Sequence, residues 1–201
     1  NRETWRVVFE DLITRGLKRV LVIVSDDLPG IIETIEAIFP LADHQLCFVH
    51  LQRNVRRHMS KEDATQFNRE LSKLKSESSL EEAEEGFRLL CERYKDKYPR
   101  FINNIISKAE HYLAFTKYPY EIRKYIYTTN SVENFNSIIE KVRIKSGGYF
   151  SSVDNLEINI YLQRENLIQT KWRNPVPRLR AYTYEINQLF QLRYLCLTQN
   201  T

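Results

Sequence analysis

Residues Val20–Gly30 read VLVIVSDDLPG. Five apolar residues run directly into two aspartates, a proline and a glycine. The run lacks the polar alternation of a half-solvated strand. Arg19–Ser25 is therefore expected to be a strand buried on both faces, as in a parallel sheet covered by helices. An acid at the C-terminal end of such a strand projects into the crevice where open α/β sheets hold their ligands. This makes Asp26 a candidate ligand-binding residue. The same stretch carries a second reading, in which Asp26 or Asp27 caps a helix entered through Pro29. The local pattern does not separate the two.

Upstream, Trp5, Val8, Phe9, Leu12 and Ile13 recur at helical spacing, so Thr4–Leu17 reads as an amphipathic helix with Gly16 near its end. Downstream, Ile31, Ile32, Ile35, Ala37 and Ile38 give the apolar side of a helix that Pro40 ends. Gln45–Val49 reads as a second strand and Leu51–Met59 as a helix. Residues 1–59 thus alternate helix and strand, which argues for an α/β layer. Strand signals then stop. Ala64, Phe67, Leu71 and Leu74, then Leu80, Ala83, Phe87, Leu90, Cys91 and Tyr94, then Phe101, Ile105, Ala109, Tyr112 and Leu113 all keep helical period. Residues 60–118 read as a bundle of short helices with a loop at LKSESSL. Residues 119–201 read as further helices. One follows Asn130 with a stripe of Phe135, Ile138, Ile139 and Val142 and stops at Gly147-Gly148. One runs from about Val153 to Trp172, with a break at Asn174-Pro175. One runs from about Tyr182 to Leu195.

The composition is that of a folded domain rather than a disordered chain: 28% charged and 42% hydrophobic over 201 residues. No apolar run approaches the roughly 20 residues of a membrane span. Cys47, Cys91 and Cys196 are odd in number and irregular in spacing, which favours a reducing cytoplasm over a disulfide framework. A net charge of +4 permits a polyanionic partner without requiring one.

Three further groups of residues bear on chemistry. Glu133 falls opposite the apolar stripe of its helix, either as a functional acid or as the third position of a capping box opened by Asn130. Cys47 and His50 form CxxH. Zinc would need a second ligand pair, and His58, the next histidine along the chain, has no second cysteine near it. The spacing points instead to Cys47 packed in the sheet and His50 at the strand's exposed end. Basic residues cluster at Arg53, Arg56 and Arg57, at Arg123 and Lys124, at Lys141, Arg143 and Lys145, and at Arg178 and Arg180. Such clusters are commonly solvated faces. Here they flank both acid candidates, as suits a polyphosphate backbone held near a metal.

Taken together, Ser25-Asp26 with Gly30, Cys47-Phe48-Val49-His50 with Arg53-Asn54, and Tyr118-Pro119, Glu121–Lys124, Thr128-Thr129-Asn130, Glu133 and Asn136 resemble the bacterial insertion-sequence transposases related to plant Mutator elements. The TTNxxExxN block and its YPxEIRK lead-in are the specific part. The resemblance implies a mostly helical α/β fold, an RNase H-like core interrupted by an all-helical insertion. It implies a DDE triad holding two Mg2+ (or Mn2+) ions, with Asp26 and Glu133 as the second and third acids. It also implies DNA as partner, a homo-oligomer in the active complex, and a bacterial cytoplasmic, nucleoid-associated location. His50 is then expected to contact the scissile phosphate or steady the site. Arg53, Arg56, Arg57, Asn130, Asn136, Lys141, Arg143 and Lys145 are expected to bind DNA. The first Asp and first strands of the core are not found in residues 1–18, so the chain by itself is expected to be inactive. The competing expectation is a non-catalytic DNA- or protein-binding module derived from such an enzyme.

Overall fold

The computed structural model describes residues 2–76, 79–174 and 176–195, apart from the side chains of Pro177, Arg178 and Leu195. Glu77 and Ser78 of the expected loop, Pro175 of the expected helix break, the Arg178 side chain and Cys196 lie outside the described residues. Two compact units are present. One comprises Asn1–Thr128 with Tyr184–Thr201, and the other Thr129–Thr183.

The first unit opens with α1 (Arg2–Thr14), β1 (Val22–Ser25), α2 (Ile31–Ile38), β2 (Asp43–Leu46) and α3 (Phe48–His58). The strands are parallel, with Val22 opposite Asp43 and Ser25 opposite Leu46. The α/β alternation follows the sequence pattern, with two differences. β1 is half-buried along its length rather than buried, because among the described residues it has a strand on one side only. β2 ends at Leu46, and the apolar run Cys47–Val49 enters α3 instead of extending the strand. Phe48 is fully buried as the first residue of α3; tertiary packing overrides the β-propensity of the run.

Neither Asp26 nor Asp27 caps α2. Its N-cap is Gly30, in the left-handed region at φ 78°, with no side-chain cap. A Cβ there would lie 2.7 Å from the backbone nitrogen of Arg2, so only glycine lets α1 approach α2 this closely. Phe9, Ile31, Ile35 and Phe39 bury one another between those helices.

The helical stretch comprises α4 (Lys61–Lys73), α5 (Leu80–Lys95), α6 (Pro99–Ile106) and α7 (Ala109–Leu113), with 3-10 turns at Leu74–Ser76 and Ala114–Lys117. Ser60 and Ser79 cap α4 and α5 through their hydroxyls. Phe67, Leu71, Ala83, Phe87, Leu90 and Cys91 form the centre of its core. On α6 Ile105 is buried as expected, but its buried companion is Ile102 rather than Phe101, whose ring stacks on His58 with centroids 4.8 Å apart.

β2 is bolted to this stretch by a fully buried glutamine. Gln45 Nε2 donates to the carbonyls of Leu46 at 2.7 Å and Tyr112 at 2.9 Å. Its Oε1 accepts from the Phe115 N–H at 2.6 Å. A buried amide satisfied on both ends is tolerated and fixes one arrangement. α8 (Tyr120–Arg123) follows. From it Arg123 turns inward, 5% exposed, and donates to the carbonyls of Tyr118 and Thr116. It is a structural cation rather than part of a solvated basic face.

The second unit holds α9 (Asn130–Lys145), α10 (Val153–Gln169) and α11 (Pro177–Ala181). α9 packs on α10, and Phe135 meets Trp172. The stripe Phe135, Ile138, Ile139 and Val142 is half-buried rather than core. α12 (Thr183–Leu195) then returns to the first unit. Arg193 donates to Asp43 Oδ2 at 2.7 Å and to the carbonyl of Leu21 at 2.8 Å. The Tyr194 hydroxyl accepts from the Val20 N–H and donates to the Val20 carbonyl. Among the described residues no helix is long and apolar enough to cross a membrane.

Candidate functional site

The two aspartates that end β1 have separate surroundings. Asp27 faces the helical stretch. Lys108 Nζ lies 2.9 and 2.7 Å from its two oxygens, and the Tyr112 hydroxyl 3.3 Å from Oδ2. Burial and the neighbouring carboxylate push the Tyr112 hydroxyl pKa up. Asp26 faces α3 instead, with its Oδ1 2.7 Å from His50 Nδ1.

The backbone explains that placement. The Cys47 N–H donates to the Ser25 carbonyl at 2.7 Å, which sets the start of α3 beside the residue after Ser25. His50 sits in the first turn of α3 rather than at a strand end. It lies three residues beyond Cys47 and so returns to the same face. Arg53, one turn further on, brings Nη1 to 3.1 Å from His50 Nε2. Asp26 and His50 are partly exposed, while Cys47 is buried. One ligand-type atom from each of Asp26, Cys47 and His50 lies within 4.8 Å of the others. Sequence spacing alone missed this grouping, because Asp26 joins CxxH through strand pairing.

The start of α3 is held from a second direction. The Phe48 N–H donates to the Tyr127 carbonyl at 2.9 Å, and the rings of Phe48, Phe115 and Tyr127 pack together. Lys75 Nζ lies 4.9 and 4.8 Å from the Phe48 and Tyr127 ring centroids, and burial lowers its pKa. The segment leading into TTN is thus docked on the CxxH helix.

Behind Asp26, Ser25 Oγ lies 2.8 Å from His44 Nε2. His44 is 5% exposed and borders a cavity of about 460 Å3 with His111, Glu36 and Lys117. Its rings and those of His111 have centroids 5.1 Å apart. Burial and the neighbouring His111 bring the His44 pKa down to about 4. On the same strand, burial alone would raise the Asp43 pKa. Hydrogen bonds from Arg193 and Tyr118 and the charge of Lys117 outweigh it and hold the carboxyl below its ordinary value.

Glu133 lies in the first turn of α9, in the second unit, and is half-buried. The N-cap is Thr129, without a side-chain cap, and Asn130 is the first helical residue. The capping-box reading with Asn130 as N-cap therefore does not hold. Asn130, Asn136, Lys141 and Lys145 are exposed along α9. Arg143 instead bonds Glu140 and the Gly148 carbonyl, which closes the C-terminal end of its own helix. On α3, Arg53, Arg56 and Arg57 are exposed opposite buried Leu51 and Val55.

A family model described as the transposases of the Mutator family matches residues 1–172. The transposase of insertion sequence ISRM3 from Rhizobium meliloti is 30% identical over 184 residues, covering 89% of this chain and 45% of that protein. The transposase of IS1201 from Lactobacillus helveticus is 27% identical over 163 residues, covering 81% and 44%. That of IS905 from Lactococcus lactis is 26% identical over 141 residues, covering 70% and 36%. The chain spans less than half the length of these curated relatives.

Proposed function

The chain belongs to the Mutator family of transposases, and from that premise we propose that it is part of the catalytic region of an insertion-sequence transposase. In the complete protein this region, an RNase H-like core interrupted by the helical stretch 60–118, cuts DNA strands and joins the freed 3′ ends to target DNA. Asp26 and Glu133 are two acids of a DDE triad, with the third contributed by sequence outside this chain. They would hold Mg2+ or Mn2+, which when bound activates the attacking oxygen and stabilises the leaving one. A carboxylate at the end of β1 suits such hard cations.

The division of labour between the paired aspartates carries this reading. Asp27 is taken up by Lys108 and Tyr112, whereas Asp26 is presented beside His50. His50 orients the Asp26 carboxylate, and Arg53 steadies the imidazole from its other side. Exposed Arg56 and Arg57, with Asn130, Asn136, Lys141 and Lys145, contact DNA phosphates and set register rather than sequence. Arg143 is committed to its own helix end and contributes less. The active complex is a homo-oligomer on the transposon ends.

The test is strand cleavage of transposon-end DNA by the full-length protein. Asp26→Asn and Glu133→Gln are expected to reduce cleavage to background, and Asp27→Asn to retain it. Wild-type cleavage by Asp26→Asn overturns the reading, as does loss in Asp27→Asn alone when that variant is folded.

A further inference from the structure

CxxH supplies two metal-type donors, and the sequence near it supplies no second pair. The fold brings the next donor from another element. The bond from the Cys47 N–H to the Ser25 carbonyl sets Cys47 beside Asp26, and one helical turn returns His50 to the same place. A carboxylate oxygen, a thiol sulfur and an imidazole nitrogen then lie within 4.8 Å of one another. Mg2+ takes oxygen ligands in octahedral geometry and gives up water reluctantly. Sulfur and nitrogen donors select a softer ion. Three protein donors of these types with one position left open are the pattern of a four-coordinate zinc site that can exchange its last ligand. Cys47 forms the buried floor, 1% exposed, and Asp26 and His50 form the partly exposed rim.

We propose that Asp26, Cys47 and His50 form a three-donor site for a thiophilic divalent cation, Zn2+ by preference. Its fourth position is open to water or to a phosphate oxygen. The inference rests on the transposase reading only in taking Asp26 as a residue that holds metal. Binding replaces the Cys47 thiol proton, which passes to solvent as the zinc–sulfur bond forms. Zinc occupancy also withdraws Asp26 from Mg2+, so zinc inhibits strand cleavage.

Arg53 adds a constraint. A guanidinium only donates, so its contact with His50 Nε2 places the imidazole proton on Nδ1, facing Asp26. A metal on Nδ1 requires the opposite tautomer, with Nε2–H turned toward Arg53. The exposed Arg53 side chain must then turn aside, and it opposes the ion.

The test adds Co2+, a spectroscopic stand-in for Zn2+, to the 201-residue chain. The expected spectrum has the intense visible absorption of a four-coordinate ion with a sulfur-to-cobalt charge-transfer band. Zn2+ is expected to remove both, and a large excess of Mg2+ to leave them. Cys47→Ser removes the charge-transfer band. His50→Gln and Asp26→Asn each weaken binding by about tenfold or more, and Arg53→Gln, which offers Nε2–H an acceptor, strengthens it by about tenfold. His50→Gln, at a partly exposed position, keeps the test decisive if Cys47→Ser does not fold. A weak six-coordinate spectrum without the sulfur band overturns the proposal, as does unchanged affinity in His50→Gln. The two readings fail separately. Tight sulfur-ligated Co2+ with wild-type cleavage by full-length Asp26→Asn sustains the site and sinks the catalytic assignment. Absent binding with cleavage abolished by Asp26→Asn does the reverse.

Discussion

His44 shows how a single buried side chain ties this fold to pH. Its Nδ1 is buried with no hydrogen-bond partner among the described residues, and its Nε2 meets Ser25. Burial and His111 hold its pKa near 4, against about 6.5 in an unfolded chain. Between those values the unfolded state binds the proton and the folded state does not, so stability rises with pH across that window. The contribution is fully present above about 6.5 and lost as pH falls toward about 4, on the order of 3 kcal/mol in all. Urea denaturation between pH 7 and pH 4 is expected to show this loss, and His44→Gln to flatten it. An equal slope in the variant would assign the loss elsewhere. Asp43, held below its ordinary value, adds a separate loss at more acid pH. Histidine pairing of this kind is invisible in sequence, because His44 and His111 lie on different elements. The position of Asp26 was legible, since the apolar run marks a strand that ends just before it. The separate role of Asp27 was not, because Lys108 reaches it only in the folded chain.

At the scale of elements, the reading of the sequence succeeded best on the long helices of the first unit and least where runs were short. α4 and α5 keep their expected faces, and Phe67, Leu71, Phe87 and Leu90 are all buried. On the eight residues of α6 the expected Ile105 is buried but Ile102 takes the place of Phe101, since two turns barely define a face. The apolar run Cys47–Val49 has strand composition yet begins a helix. That shift of β2 decides where His50 stands. Elements also meet through single positions. Gly30 lets α1 cross the start of α2 at φ 78°. Gly30→Ala must strain the backbone and displace Arg2, and is expected to cost about 1–3 kcal/mol. Thermal denaturation checks this, and an unchanged midpoint would mean that α1 shifts freely.

At the scale of the molecule, the sheet is finished by residues remote in sequence. Asp43 collects Arg193, Tyr118 and Lys117, and Arg193 also bonds the Leu21 and Leu41 carbonyls. Arg193→Ala removes a charge-assisted, mostly buried contact and is expected to cost about 2–3 kcal/mol. Arg193→Lys keeps the charge but not the forked geometry, and is expected to fall between. Chemical denaturation of both variants orders them, and a neutral Arg193→Ala would mean that Lys117 and Tyr118 suffice for Asp43.

The clasp of Tyr194 on Val20 spans 174 positions. During synthesis at roughly 5–20 residues per second, the first strand leaves the ribosome about 10–35 s before the hydroxyl that closes its end. Over that interval the nascent chain must keep the VLVIV segment out of other pairings, by α1 and α2 or by a chaperone. A message cut short before α12 yields a chain whose strand never acquires that lock.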